Sequence, residues 1–178
     1  MSTLITEEMR AILSRPYARA TSFPISASDI RRWAIAVYYP QPPPREFYDA
    51  EYAASTPSGG IAAPLEFNPF AWMSAPGEPS TGTEALVVDP SLVAAGACEH
   101  RLGVEPPPLR RGLNGGLDVT FTGVPMRPGD VIISTSAIIA YDEREGRLGH
   151  MLFTTTENRW VNQRDEVVKI ERMTLIRY

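Results

Sequence analysis

Few side chains in this sequence belong to the types that build catalytic or metal-binding clusters. There are two histidines, His100 and His150, and one cysteine, Cys98. A catalytic zinc ion needs three suitable protein ligands, and these residues are too few and too scattered to supply them. Cys98 and His100 have a poor helical spacing for a thiol–imidazole pair, so we expect packing or surface roles for them and for His150. We therefore predict no metal site and no cofactor.

The composition is that of an ordinary globular chain. Of 178 residues, 43% are hydrophobic and 21% are charged, and the net charge is only -4, which excludes an intrinsically disordered chain. Without a run of like charge, we expect neither nucleic acid nor a membrane surface as a partner. No apolar window approaches the roughly eighteen residues of a membrane span. Glu7, Glu8 and Arg10 occupy the place where a signal peptide needs an apolar core, so we predict a cytoplasmic protein.

The first half of the chain carries helix signals. Thr6 is placed to cap a short helix, and Ser26 with Asp29 predicts a second helix that ends before Pro40. Asp49 is placed to cap a short helix, and Asn68 followed by Pro69 is typical of another helix start. The proline-rich residues 41–46 are expected to form an extended loop.

The last third of the chain predicts a β-sheet. Residues 117–122, 131–141, 148–161 and 167–178 are rich in β-branched and aromatic side chains and are separated by turn residues. They predict consecutive antiparallel neighbours that are buried on one face only. In the last strand we expect an apolar face and a charged face, formed respectively by Val168, Ile170 and Ile176 and by Lys169, Glu171 and Arg177. Gly115 and Gly116 are interpreted as a turn that precedes the first of these strands.

Helices followed by a long-stranded sheet predict an α+β fold, in which an apolar helix covers the sheet. The length suits a single domain over residues 1–178. Within it we distinguish an N-terminal extension with a short helix, residues 1–21, and a loop-rich insertion, residues 76–112.

The order of several segments resembles the MaoC-like (R)-specific enoyl-CoA hydratases and dehydratases. Residues 29–37 (DIRRWAIAV), 48–53 (YDAEYA) and 59–64 (GGIAAP) are similar to their N-terminal half. Residues 115–116, 125–130, 143–147, 151–154 and 160–163 follow the order found in the FAS1-like dehydratase branch. The resemblance spans roughly residues 22–178 and implies a hotdog fold, a curved antiparallel sheet wrapped around a central apolar helix that would begin within residues 64–74.

Members of this family hydrate trans-2-enoyl thioesters or run the reverse dehydration, with an Asp and a His five residues apart. The matching segment here is residues 38–44 (YYPQPPP), in which Tyr39 stands in place of the aspartate and Pro44 in place of the histidine. Proline carries no proton, and a tyrosine with a pKa of about 10 is a poor base at neutral pH. The resemblance thus implies that the Asp/His dyad is missing. Residues 45–48 look like a small insertion, which leaves open an alignment of this segment in another register.

The resemblance also suggests other site residues. Glu66 lies near the expected helix start, and no structural role explains this acid. It is therefore a possible substitute base. Asp49 and Asp130 match a helix cap and a turn in the family, whereas Arg110 and Arg111 could meet CoA phosphates. Substrate-binding residues are expected to be Tyr38, Tyr39, Ala63, Pro64, Phe67 and Trp72, with Trp33 and Phe70 near the acyl pocket.

Three functions follow from these observations. The first is a degenerate, non-catalytic hotdog subunit of a heteromeric (R)-specific enoyl-thioester hydratase or dehydratase, whose partner is a second hotdog subunit that carries Asp and His. The second is a self-sufficient homodimeric enzyme with a site rearranged around Tyr39 or Glu66. The third is a protein that binds acyl thioesters, or only other proteins, without chemistry. The expected ligand is an acyl-CoA or acyl carrier protein thioester.

Overall fold

The computed structural model describes residues 3–71 and 97–178. Its centre is a five-stranded antiparallel sheet with the strand order β1-β3-β4-β5-β2, flanked by short helices, which confirms the α+β class. The helices are α1 (Glu7–Ala11), α2 (Ala27–Tyr38), a 3-10 turn (Arg45–Phe47), α3 (Ala50–Ala54) and α4 (Ala97–Arg101). The strands are β1 (Pro16–Thr21), β2 (Gly112–Phe121), β3 (Ile133–Gly146), β4 (Gly149–Val161) and β5 (Val167–Arg177).

Each predicted cap in the first 55 residues is present. Thr6 Oγ1 accepts a hydrogen bond from Met9 N at 3.2 Å at the start of α1. In α2, Ser26 Oγ accepts from Asp29 N at 3.1 Å, and Asp29 Oδ2 accepts from Ser26 N at 3.3 Å, which completes a capping box. Asp49 Oδ1 caps α3 by accepting from Tyr52 N at 3.0 Å.

The four predicted strands exist, but their pairing differs from the prediction. Strands β3, β4 and β5 are consecutive neighbours, whereas β2 pairs with β5 and not with β3. The connection over residues 122–132 is longer than the two to five or so residues of a hairpin loop, so it is free to cross the sheet. The edge of β3 is taken by β1, a six-residue strand that begins with Pro16, contains two alanines and therefore carries a weak strand signal.

Gly115 and Gly116 lie inside a strand and not in a turn before it. β2 begins at Gly112, and its register with β5 shifts between Asn114 and Gly116. An added Cβ at Gly115 would lie 2.9 Å from Ile176 Cγ1, and Gly116 has a φ of 147°. Glycine is therefore used here for close approach and for a bulge.

The charged face of β5 is the inner face of the sheet, contrary to the sequence-based expectation. We call inner the face that carries Trp160 and Arg177, because Trp160 belongs to the main core cluster and both side chains are buried. Lys169 and Arg177 are 5% and 1% exposed. Their burial is possible because each cation is paired, Lys169 with Glu171 and Arg177 with Glu99.

Two apolar clusters hold the helices on the sheet. The larger joins α2 and the turns after α3 to the Trp160 end of the sheet; its buried members are Ile25, Ile30, Ala34, Phe47, Phe67, Met126, Ile132, Trp160 and Val168, the last from the apolar face of β5. The smaller packs α1 against the sheet through Ile5, Met9 and Leu152. The helices thus frame the inner face at its two ends.

The segment expected to begin the central helix forms turns as far as it is described. Phe67 N donates to Pro64 O at 3.0 Å, and Ala71 N donates to Asn68 O at 3.2 Å. Residues 72–74 of that expected helix start, and most of the insertion predicted over residues 76–112, lie outside the described residues. Within the described ranges, no helix is long and apolar enough to cross a membrane.

Candidate functional site

A cleft of about 470 Å³ opens on the inner face at its Trp160 end. It combines aromatic walls with hydrogen-bonding groups, which is typical of a site for a small organic ligand. The aromatic members are Trp33, Phe70 and Trp160, and the polar members are Glu66, Asn68, Ser134, Asn158, Lys169 and Glu171.

Helix α2 and the turns after α3 place the aromatic walls. Trp33 lies edge-on to the buried Phe67 ring, with centroids 5.6 Å apart and an interplanar angle of 77°. Phe70 contacts Trp160 in the same manner at 5.1 Å. Both geometries are favourable for aromatic pairs. The indole N–H groups of Trp33 and Trp160 are buried and have no acceptor among the described residues.

The polar wall is a chain of contacts across three neighbouring strands. Ser134 Oγ donates to Asn158 Oδ1 at 2.6 Å, and Asn158 Nδ2 donates to Glu171 Oε2 at 3.3 Å. Glu171 Oε1 lies 2.8 Å from Lys169 Nζ, and that ammonium sits 3.5 Å from the centroid of the Trp160 ring. The strand register explains the chain, because Trp160 faces Lys169 and Asn158 faces Glu171 across β4 and β5.

The other end of the inner face is closed by a buried ionic cluster. Arg177 pairs with Glu99 and also donates to Thr154 Oγ1 at 2.8 Å, and Tyr141 Oη donates to Glu99 Oε1 at 3.2 Å. Burial raises the pKa of Tyr141, and the negative charge of Glu99 raises it further. At this end of the inner face, the buried charges of Arg177 and Glu99 neutralise each other.

Beside this cluster, burial also raises the pKa of Tyr17 and the pKa of the Cys98 thiol. A thiol whose pKa is raised by burial is poorly nucleophilic at neutral pH. Cys98 and His100 lie on α4, where a loop was expected, and the sequence reasoning missed the role of Glu99 between them.

Residues 38–44, in which the resemblance led us to expect the dyad positions, contain no acid or imidazole. The Tyr39 side chain is 81% exposed, and Pro44 precedes the 3-10 turn. Tyr38 stacks on Phe47 at a centroid distance of 5.9 Å. None of these three residues is among the residues that line the cleft.

The remaining expected site residues lie in three places. Glu66 lines the cleft. Ala63 and Pro64 line an adjoining apolar pocket of about 90 Å³, which shares Lys169 with the cleft. Phe67 is fully buried behind Trp33, and Trp72 lies outside the described residues.

The other acids have structural roles. Asp49 is the cap of α3 described above. Asp130 is buried in its turn, where Oδ2 accepts from Arg127 N at 2.8 Å and Oδ1 accepts from Gln163 Nε2 at 2.8 Å. Neither carboxylate lines the cleft.

The two histidines lie away from the cleft. His100 Nδ1 is 3.7 Å from Glu105, and His150 Nε2 is 3.4 Å from Glu143. Arg110 lines a shallow proline-rich pocket beside His100, while Arg111 pairs through its backbone with Tyr178. Over residues 3–71 and 97–178, no group of three His, Cys, Asp or Glu side chains is placed to hold a metal ion.

Sequence reasoning missed the four polar wall residues Ser134, Asn158, Lys169 and Glu171. One signal was available: Lys169 is the single lysine in the chain, and it alternates with Val168 and Ile170 inside a strand. The alternation correctly separates two faces, but it does not say which face is covered.

This architecture defines a class. A five-stranded antiparallel sheet in the order β1-β3-β4-β5-β2 is the sheet of a hotdog fold. The family model of the FAS1-like dehydratase domain region matches residues 13–171. The chain therefore belongs to the family of FAS1-like dehydratase domains, the branch that the segment order indicated. A search of the curated proteins finds no significant match.

Several solved structures have the same fold. The ChsH1-ChsH2 complex from Mycobacterium tuberculosis is 17% identical, with 98% of this chain and 90% of that chain covered and a TM-score of 0.62. A MaoC-like dehydratase from Rhodospirillum rubrum is 21% identical over 90% of both chains, with a TM-score of 0.51. The HadBC (3R-hydroxyacyl-ACP dehydratase) complex from M. tuberculosis is 19% identical, with 92% and 99% covered and a TM-score of 0.50. At these identities the likeness shows the fold.

Proposed function

We propose that this chain is the non-catalytic hotdog subunit of a heteromeric (R)-specific enoyl-thioester hydratase or dehydratase. A partner hotdog subunit supplies the Asp and the His, while this chain contributes a wall of the acyl pocket and the interface between the two subunits. The observation that carries the proposal is the replacement of both dyad positions, by Tyr39 and Pro44, on an otherwise intact scaffold.

The chemistry explains why this replacement matters. Hydration requires a base that activates water and an acid that returns a proton to the substrate. The described cleft contains the carboxylates of Glu66 and Glu171, but Glu171 is engaged by Lys169 and Asn158, and no imidazole lines the cleft. Glu66 is thus the one carboxylate in the described cleft that is left to act as the base or as the acid. A second subunit with both groups would complete the site.

The free edge of the sheet supports a subunit role. All ten residues of β2 are exposed, and the large apolar side chains Leu113, Leu117, Val119 and Phe121 lie along it. An exposed edge strand with apolar side chains is a template for pairing with another chain. Two of the similar solved structures, ChsH1-ChsH2 and HadBC, are complexes of two named subunits, which is consistent with this arrangement.

The test is reconstitution with a hotdog chain from the same organism that carries the Asp/His motif. Each chain is assayed alone and as the purified complex for hydration of crotonyl-CoA and of a longer trans-2-enoyl-CoA. We expect the isolated chain to be inactive and the complex to be active. His→Ala in the partner's motif should abolish the activity, while Tyr39→Phe in this chain should leave kcat unchanged.

A self-sufficient enzyme makes the opposite prediction, and Glu66 in the cleft is the observation that favours it. In that case the isolated chain hydrates the thioester, and Glu66→Gln reduces kcat by about a hundredfold or more, the contribution of a general acid or base. That result would overturn the non-catalytic assignment. A third result, no acyl-CoA binding by the chain alone or in any complex, would favour a scaffold.

A further inference from the structure

The cleft is unusual for a pocket that receives a hydrocarbon chain, because its sheet wall is polar. Ser134, Asn158, Glu171 and Lys169 form one continuous chain of contacts on β3, β4 and β5, and all four line the cleft. A saturated acyl chain offers no hydrogen-bonding group to this wall, and covering polar groups without such a partner is costly.

Lys169 is the centre of this wall. It is 5% exposed, and its ammonium contacts Glu171 on one side and the Trp160 ring on the other. An ammonium has three N–H donors. The contact with Glu171 Oε1 at 2.8 Å engages one of them, and a further N–H of the same ammonium can donate to an oxygen atom of a ligand.

The charge of the cleft limits the kind of oxygen it accepts. Lys169 contributes one positive charge, while Glu66 and Glu171 contribute two negative charges. This balance disfavours a carboxylate on the ligand. A neutral ketone or hydroxyl oxygen accepts a hydrogen bond from Lys169, and a hydroxyl also donates to a carboxylate.

An apolar part of the ligand has its own place. The pocket lined by Ala63, Pro64, Leu65 and Phe121 adjoins the cleft at Lys169. A ligand that carries an oxygen between apolar segments could therefore lie across Lys169 with its apolar end in this pocket.

We infer that the cleft selects acyl thioesters whose chain bears a neutral oxygen substituent, a ketone or a hydroxyl, and binds that oxygen at Lys169. This inference rests on the proposed function, since it names the substrate class of the same acyl pocket. Selectivity arises because a buried polar wall is left unsatisfied by a ligand that lacks the matching group.

The test is calorimetric binding to the chain, alone and in complex with its partner. The probes are trans-2-octenoyl-CoA, analogues with a ketone or hydroxyl in the distal half of the chain, and an analogue with a terminal carboxylate. We expect the ketone or hydroxyl analogue to bind about tenfold more tightly than octenoyl-CoA, the effect of one hydrogen bond to a charged group. The carboxylate should bind most weakly.

Substitutions in the polar wall test whether Lys169 causes the preference for oxygenated analogues. Lys169→Met should abolish the preference, so that the oxygenated analogue and octenoyl-CoA bind equally, and Ser134→Ala, a milder change of the same wall, should reduce the preference. Arg159→Met is the matched control, because it removes an exposed cation from the other face of β4. Equal affinity for octenoyl-CoA and the oxygenated analogues would overturn the inference and leave the proposed function intact. Failure of every thioester to bind would overturn both.

Discussion

Arg177 on β5 and Glu99 on α4 form an ion pair in which each side chain is 1% exposed. The two residues are far apart in the sequence, and their pairing attaches α4 to the end of the sheet. Nε and Nη1 of the Arg177 guanidinium have no acceptor among the described residues, so Glu99 and Thr154 are its compensating contacts. Removing one partner would leave an uncompensated buried charge.

We predict that Arg177→Met lowers the free energy of unfolding by about 3–5 kcal/mol, the usual cost of breaking a buried pair. Urea denaturation followed by circular dichroism measures it. Arg144→Met is the control: its pair with Asp142 is largely exposed, so a loss within about 1 kcal/mol is expected. Equal losses in the two variants would show that the buried pair does not stabilise the fold.

A second prediction concerns the close approach of β2 to β5. Gly115→Ala would place a Cβ 2.9 Å from Ile176 Cγ1 and 3.1 Å from the Thr174 carbonyl oxygen. Since the backbone contact cannot rotate away, we expect a loss of about 1–3 kcal/mol, as for overpacking. Thr120→Ala, at an exposed site on the same strand, should change stability by about 0.5 kcal/mol or less. If Gly115→Ala left the free energy of unfolding unchanged, β2 and β5 would be able to move apart at this position without cost, and the prediction would be wrong.

A third prediction concerns alkaline stability. Burial raises the pKa values of Tyr17 and Tyr141, so both phenols stay protonated in the folded chain at a pH where they ionise when unfolded. The unfolded chain then holds fewer protons than the folded one, and stability falls as pH rises. Their stabilisation is complete below about pH 10, the ordinary tyrosine pKa, and is lost above it.

Urea titrations at a series of pH values check this. The Tyr17→Phe and Tyr141→Phe double variant should show a shallower alkaline decline than the natural chain. Tyr39→Phe, which removes an exposed phenol, should keep the full decline. An unchanged slope in the double variant would contradict the prediction.

A fourth prediction concerns the free edge. The double substitution of Leu117→Lys and Val119→Lys places charges on β2, where charged side chains oppose strand pairing. We expect the chain to remain folded but to lose its association with the proposed hotdog partner, measured by sedimentation velocity. Leu148→Lys alters an equally exposed leucine in the turn between β3 and β4 and should leave the complex intact. Dissociation by both variants would argue against β2 as the interface.

Local signals predicted local structure accurately. The capping box of Ser26 and Asp29 lies within one turn, so α2 could be placed from neighbouring residues, and the β-branched runs of the last third similarly marked strands. The position of β2 beside β5 could not be predicted in this way. It depends on how a long connection crosses the sheet, and strand pairing is a contact between residues distant in sequence.

The sequence by itself determined that residues 38–44 contain no acid and no imidazole, because side-chain chemistry is a property of the residue and needs no coordinates. It also determined the two faces of β5, because alternation follows from strand geometry. Only the tertiary structure decided that the charged face is covered as well. Lys169 and Arg177 are buried because Glu171 and Glu99 neutralise them there, and for Arg177 that partner arrives from another element of the fold.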